Sequence, residues 1–362
     1  MKQTMLLKLI TTPEQHASLL ETMRTFNAAC NSIAQVAYQE QSANKFALQK
    51  LVYGTLRSEY GLPAQLAIRA ISKTAEAYKS DKTVKPTFRP EGAIVYDQRV
   101  MSFKDVNTVS LLTLQGRLLL PFWVGGYQQA RLNAIKGQAD LIVRQGVFYL
   151  AVTLEMPERP PEIPQATIGV DLGIVNLATD SDGEMFSGAV VDATRQKMTT
   201  LRAALQKKGT RSAKRHLKRL GQHEQRFRRN TNHVISKRLV AKAKQSHRGI
   251  ALEDLRHIRS RTDSTVRRSQ RQRHTSWGFA QLRGFISYKA AMAGVCLHLV
   301  DPRNTSRTCS QPTCGHCEKA NRKSQAEFVC QSCGFAAPAD WNAAINISRA
   351  TVKTPIVAAR AS

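Results

Sequence analysis

The spacing of apolar residues changes several times along this chain. It opens with MKQTMLLKLIT, a short apolar run that predicts a strand. TPEQ follows, where Thr12 can cap a helix, Pro13 suits the first helical position and Gln15 stands where a capping box closes. Leu19, Met23, Phe26, Cys30, Ile33 and Ala37 then recur at helical spacing. A second helical stretch is predicted near Lys45–Tyr60. A third starts at Leu62-Pro63 and carries Leu66, Ala70, Ile71, Ala75 and Tyr78. From about Thr87 to Glu155 the period shortens. AIVYDQRVMSF, TVSLLTLQGRLLLPFWV and DLIVRQGVFYLAVTLEM read as short strands broken by turns, and an all-β barrel is their simplest product. MPERPPEIPQ is a Pro-rich linker and marks a boundary.

Beyond the linker, TIGVDLGIVNLATDSDGE predicts a hairpin with a polar turn at Asp182-Gly183 and Asp171 well inside it. A long helical segment follows, whose later part carries an expected buried stripe of Phe227, Val234, Ile235, Leu239 and Val240. RGIALEDL is a buried strand ending in two carboxylates, and FAQLRGFISYKAAMAGVCLHLV is a helix leading into a strand. Arg256–Arg273 has seven Arg, one Asp and no apolar period, which predicts a mobile basic loop.

Charge alters this picture. The chain has 362 residues, with 54 Lys and Arg against 26 Asp and Glu, a formal net charge of +28. That imbalance points to a polyanion, most often nucleic acid. Between Leu201 and Arg248 stand sixteen Lys or Arg and a single acid, Glu224. Such a run repels itself unless phosphates neutralise it. Lys207, Lys208, Arg211, Lys214, Arg215, Lys218, Arg219, Arg226, Arg228 and Arg229 are the expected contacts. Lys73, Lys79, Lys82, Lys85 and Arg89 form a second basic stretch, for which phosphate contact is also expected. With no apolar run of about 18 residues and no signal-peptide stretch, no membrane partner is expected, and a cytoplasmic, nucleoid-associated location in a prokaryote is. In that compartment, five cysteines between Cys309 and Cys333 suit a metal better than disulfides. Cys30 and Cys296 lie in apolar runs and read as core.

Three acids stand at the edges of apolar elements: Asp171 after TIGV, Glu253 after GIAL and Asp340 before WNAAIN. One acid at a strand end is ordinarily a solvated terminus or a helix cap. Three in nearly acid-free surroundings fit a site where carboxylates hold two divalent ions about 3.5–4 Å apart for in-line phosphodiester displacement. Mg²⁺ prefers hard oxygen ligands and keeps several waters, so three carboxylates can suffice. Gly173 would let backbone and phosphate come close. On IALED, alternation sets Ala251 and Glu253 opposite Ile250, Leu252 and Asp254. The small side is the more open one, which selects Glu253 and leaves Asp254 to cap the following turn. Among the cysteines, Cys330-x-x-Cys333 is one half of a four-ligand site. The other half is Cys309 with Cys314, or Cys314 with Cys317.

GVDLGIVNLATDSDGE, IALEDL, NRKSQAEFVCQSCG and ADWNAAINI resemble the RuvC-like nuclease of the TnpB (OrfB) proteins, which insertion-sequence transposons encode and which are similar to compact type V CRISPR effectors. The resemblance covers roughly Thr167 to Ile347, and the N-terminal half matches in plan only. It implies an α+β multidomain protein. A wedge β-barrel would span 1–11 and 84–160, with a helical recognition insertion at 12–83. An RNase H-like α/β RuvC nuclease domain would span 165–300 and 336–362, with a zinc ribbon inserted at 301–335. The implied activity is Mg²⁺-dependent, RNA-guided cleavage of DNA beside a short adjacent motif, with a guide RNA from the transposon end and target DNA as partners. Carried over residue by residue, Asp171, Glu253 and Asp340 are catalytic and bind Mg²⁺. The family's Cys-x-x-Cys-Gly-His aligns Cys314 with the second zinc ligand, giving Cys309, Cys314, Cys330 and Cys333, with Cys317 as the alternative. The Arg256–Arg273 loop matches a lid over the active site. The rival functions are a nuclease-silent RNA-guided DNA-binding regulator, against which the three intact acids argue, and a DNA-only transposase, for which no His-hydrophobe-His motif stands.

Overall fold

The structure is a computed structural model that describes residues 1–254 and 278–350. The basic loop Arg256–Arg273, with its expected lid role, and Trp277 lie outside the described residues. Two compact units divide within the Pro-rich linker, Met1–Met156 and Pro157–Ser362.

In the first unit, strand β1 (Lys2–Leu9) leads into helices α1 (Pro13–Gln39), α2 (Lys45–Ser58) and α3 (Ala64–Ser80). The capping box forms as the sequence predicts. Gln15 N donates to Thr12 Oγ1 at 3.2 Å, and Thr12 N donates to Gln15 Oε1 at 3.1 Å. Six strands follow: β2 (Ile94–Tyr96), β3 (Met101–Asp105), β4 (Thr108–Thr113), β5 (Gly116–Trp123), then, after the short helix α4 (Gly126–Gln129), β6 (Ile135–Arg144) and β7 (Val147–Glu155). They join β1 in one antiparallel sheet of order β2-β6-β7-β1-β5-β4-β3. Gln145 and Gly146 take φ of +56° and +73° in the two-residue loop from β6 to β7, the backbone that matches the twist of a tight hairpin. The expected barrel is nearly closed rather than closed. Across the gap, Tyr96 of the edge strand β2 reaches β4, its Oη donating to Leu112 O at 2.9 Å, while Leu112 N donates to Val100 O at 2.9 Å and extends the β3–β4 ladder. Lys73, read from sequence as a phosphate contact, is half-buried. Its amine donates to Asn27 Oδ1 and Ala93 O and lies over the Phe26 and Phe88 rings, so it ties a loop to the helices.

The second unit begins with β8 (Thr167–Asp171), β9 (Asn176–Asp180) and β10 (Met185–Ser187). The predicted hairpin is thus a three-stranded meander, and Asp171 ends its first strand. Helices α5 (Ala189–Lys208) and α6 (Arg211–Gln245) follow, then β11 (Gly249–Glu253), α7 (Phe279–Ala293), β12 (Leu297–Val300), the small hairpin β13 (Glu327–Val329) and β14 (Ala336–Pro338), and α8 (Ala339–Ala350). The main sheet has the order β10-β9-β8-β11-β12, with β8, β11 and β12 parallel. Alternation divides its faces. Ile168, Val170, Ile250 and Leu252 pack with Ile235, Leu239, Leu282 and Ile286 of α6 and α7. Ala251 and Val300 face the other way and pack with Ile347 of α8. Val234 is a correction to the predicted stripe. It is 49 % exposed, because the buried line runs through Asn232, Ile235, Ser236, Leu239, Val240 and Ala243.

Candidate active site

Gly169 decides what the α8 face of the sheet can hold. A Cβ there would stand 2.0 Å from Ala344 O and 2.4 Å from Ser348 N. The helix therefore rests on bare backbone, and its N-terminus is brought to the ends of β8 and β11. Gly169 pairs with Ala251 and Val170 with Leu252 in parallel register. Asp171 and Glu253, one residue further on, share the face that α8 covers, and Asp340 lies in the first turn of α8. The small side of IALED is thus the side that admits a helix rather than open space, with Ala251 fully buried.

The electrostatics follow from this gathering of acids. The Asp171 carboxyl is pushed up to about 8 by burial first, then by the charges of Glu253 and Asp340, against the pull of Arg322 and the Leu172 N–H. Glu253 is raised too, chiefly by burial and also by Asp301, while the Thr305 hydroxyl and Arg322 oppose the shift. Asp340 Oδ2 accepts from Asn176 Nδ2 at 2.9 Å, and Arg322 stands 4.0 Å from Asp340 Oδ1. Asp254, the rejected neighbour, faces away and lies 3.4 Å from Arg283. Gly173 is confined by backbone, since a Cβ would stand 2.6 Å from Asn176 O and 3.9 Å from Asp340 Oδ2. Buried acids that repel one another suit a divalent cation, which would supply the missing positive charge.

Beside them, the sulfurs of Cys309, Cys314, Cys330 and Cys333 all lie within 4.8 Å of one another. Cys309 Sγ is 3.7 Å from Cys333 Sγ, and Cys314 Sγ is 3.7 Å from Cys330 Sγ. Thiolates about 2.3 Å from a tetrahedral zinc stand about 3.8 Å apart, so the spacing fits that ion. Gly315 and Gly334, each following a cysteine, take φ of +60° and +71° and turn the two knuckles. Cys317 is exposed and stands outside the group, its backbone bridged to Thr308. Burial, above all, pushes Cys309 up to about 12. At Cys330 burial also raises the thiol, but the N–H groups of Cys333 and Ser332, with neighbouring thiols, outweigh it and bring it down to about 6. Asn342 and Asn346, one turn apart on α8, fasten the segment leading into the cluster. Asn342 Nδ2 donates to Thr308 O at 2.9 Å, and Asn346 Nδ2 donates to Thr305 O and Thr308 O at 2.9 and 2.7 Å.

The basic segment forms two helices joined at Gly209, whose φ of +63° ends α5. Thr210 caps α6, accepting from Ala213 N at 3.1 Å. Met198, Leu205, Ala213 and Leu220 pack between the helices, and Arg202 meets Glu224 at 2.6 Å. Of the ten expected phosphate contacts, Arg228 is half-buried and the other nine are exposed.

Two family models match adjoining stretches: the "Probable transposase" OrfB_IS605 over residues 150–272 and the "Cas12f1-like, TNB domain" over 279–347. The "Putative RNA-guided DNA endonuclease InsQ" of Escherichia coli is 25 % identical over 90 % of this chain and 87 % of its own length. Residues 150–272 thus carry sequence of the OrfB (TnpB) type. A TnpB-like protein of Methanocaldococcus jannaschii is 34 % identical over 32 % of this chain and 40 % of its own. A "CRISPR-associated endodeoxyribonuclease Cas12f1" of Sulfoacidibacillus thermotolerans is 41 % identical, over 34 % of this chain and 27 % of its own. Among solved structures, the "mini-RNA-guided endonuclease CRISPR-Cas_phi3" shares the fold, with a TM-score of 0.60 at 9 % identity over 98 % of this chain and 93 % of that one. In this chain the sequence pattern did not reveal Gly169, Asn176, Thr305 or Arg322. Gly169 alone carried a local signal, a glycine inside a buried strand, which marks close backbone approach.

Proposed function

We propose that the chain is an RNA-guided, Mg²⁺-dependent DNA endonuclease of an insertion-sequence transposon. The observation that carries the reading is Asp171, a carboxyl held near 8 by burial and by two further acids on the same covered face. An acid so placed binds a proton or a metal, and functional sites are where such shifts gather. The names of the relatives support the choice of an RNA guide and a DNA target. The strand order β10-β9-β8-β11-β12, three antiparallel strands followed by two parallel ones, supports an RNase H-like, RuvC-type domain over 165–300 and 336–362. The knuckle then serves as the zinc ribbon at 301–335. The barrel strands, 1–11 and 84–160, form the wedge around a helical recognition insertion at 12–83.

In this reading Asp171, Glu253 and Asp340 would hold two Mg²⁺ ions, whose positive charge would supply the electrostatic stabilisation that phosphodiester hydrolysis needs. Asn176 and Arg322 orient and balance Asp340. Cys309, Cys314, Cys330 and Cys333 hold a structural zinc. The exposed cations of α5 and α6 bind phosphates without reading sequence. Changing the terminal guide segment of the copurifying RNA while leaving its scaffold intact tests the whole reading. The cut should move to the newly matched DNA, because base pairing selects the target. Cleavage that stays at one fixed sequence, or that survives removal of the RNA before target addition, would refute guidance.

A further inference from the structure

We infer that Thr305 is a positioning residue for Glu253, and that through it the cysteine knuckle fixes the reach of a carboxylate on the sheet. The inference rests on the nuclease reading and adds a residue to it. Thr305 is buried at 7 % exposure, and its Oγ1 donates to Glu253 Oε1 at 2.5 Å, with Pro302 O at 3.1 Å as a second acceptor. A hydroxyl has one proton to give, and the charged acceptor takes it.

The backbone behind this hydroxyl is fixed. Thr305 O and Thr308 O both accept from Asn346 Nδ2, Asn342 Nδ2 also reaches Thr308 O, and Ser310 N donates to Asn342 Oδ1 at 3.0 Å. Cys309 lies between Thr308 and Ser310, so only three residues separate Thr305 from a cysteine of the cluster. Glu253 has three side-chain torsions and sits at a strand end beside Asp171, with Asp301 also raising it. Repulsion would turn it aside, and the Thr305 bond sets it in one orientation. Among the described residues the Thr305 hydroxyl engages one Glu253 oxygen, which leaves the carboxylate further lone pairs with which to meet a cation. Partners of this kind, hydrogen-bonded to a ligating carboxylate, are worth on the order of 10–100-fold in metal affinity or activity.

The test uses the full chain. Thr305→Val keeps the shape and removes the donor, whereas Thr305→Ser keeps the donor. Mn²⁺ affinity is read by isothermal titration of the RNA-stripped protein. The Mg²⁺ concentration for half-maximal cleavage and the plateau rate are read with guide and target present, and zinc content is measured in every variant. For Thr305→Val we expect Mn²⁺ binding and Mg²⁺ half-saturation to weaken on the order of 10–100-fold, with zinc unchanged and a smaller change in plateau rate. Thr305→Ser should restore both. Values for Thr305→Val within about twofold of wild type, or loss of zinc from it, would overturn the inference, the second by making the hydroxyl part of the knuckle alone. Asp171→Asn separates this from the reading beneath it. If Asp171→Asn still cuts, the nuclease assignment fails. If it is inactive while Thr305→Val behaves as wild type, only the role of Thr305 fails.

Discussion

Gly169 and Ala344 touch backbone to backbone, and a methyl group on Gly169 would stand 2.0 Å from the Ala344 carbonyl oxygen. Neither atom belongs to a flexible side chain, so the clash can be relieved only by lifting α8 or bending β8. Lifting α8 carries Asp340 away from Asp171 and Glu253. Gly169→Ala should therefore cost at least about 1–3 kcal/mol of stability, the usual scale of overpacking. It should also remove cleavage. A denaturant melt of the metal-free protein checks the first outcome, and cutting of a matched target checks the second. Full activity in Gly169→Ala would show that α8 does not need this approach.

Asp171 makes a prediction about pH. Its ordinary value is 3.8 and its folded value is about 8. Between the two, the folded protein keeps a proton that the unfolded chain has lost. This contribution is complete below pH 3.8 and is lost as pH rises towards 8. Metal-free wild type should thus lose stability from pH 5 to pH 8, and Asp171→Asn should flatten that decline and melt higher at pH 8. Adding Mg²⁺ should raise the melting temperature of wild type at pH 8 far more than that of Asp171→Asn. The variant should bind target DNA and not cut it, since many phosphate contacts remain. An unchanged pH slope in Asp171→Asn would remove Asp171 as its source.

Local signals were legible and long-range pairings were not. Thr12, Pro13 and Gln15 announce a helix start because capping acts within one turn. The core positions of α1 follow from period alone, and all six predicted from sequence are buried. Strand alternation selects Glu253 over Asp254 on the premise that the small side is open, whereas that side is the one α8 covers, with Ala251 packed against Ile347. Val234 failed because an apolar residue adjacent to a buried stripe need not lie on it. Cys309 against Cys317 could not be decided by spacing, since two intervening residues are the commoner knuckle. The backbone pairing of Cys309 N with His316 O at 2.9 Å, beside the Thr308–Cys317 bridge, sets Cys309 against the knuckle that holds Cys314. Thr305 with Glu253 and Asn176 with Asp340 lie 52 and 164 residues apart, and nothing in the local pattern of either partner names the other.

The cysteine geometry predicts a ligand set. Metal analysis should find about one zinc per chain, as a single four-thiolate site requires. Cys309→Ser, Cys314→Ser, Cys330→Ser and Cys333→Ser should each lower that content and destabilise 301–335. Cys317→Ser should keep both zinc and cleavage, because its sulfur is exposed and outside the group. Zinc loss in Cys317→Ser, with none in Cys309→Ser, would reverse the assignment.

The helices α5 and α6 give the last prediction, which separates charge from chemistry. Lys207, Lys208, Lys214 and Lys218 are exposed, two at the end of α5 and two in the first turns of α6. Long, solvated lysines neutralise phosphate as point charges, and the counterions they release set the salt dependence of binding. Replacing all four by Gln keeps the helical backbone, because Gln and Lys have similar helix propensity. Melting temperature should scarcely move. Nucleic-acid affinity should fall, and the slope of log K against log salt should become shallower by roughly 0.7–0.9 for each phosphate that is no longer neutralised. Base pairing still chooses the target, so the guided cleavage position should not change. At low salt, where the remaining cations suffice to load the complex, the variant should cut at close to the wild-type rate, because no substituted residue touches Asp171, Glu253 or Asp340. An unaltered salt slope would show that these lysines only solubilise the helices. A cutting rate that stayed low at saturating nucleic acid would place part of α5 and α6 in the chemical step.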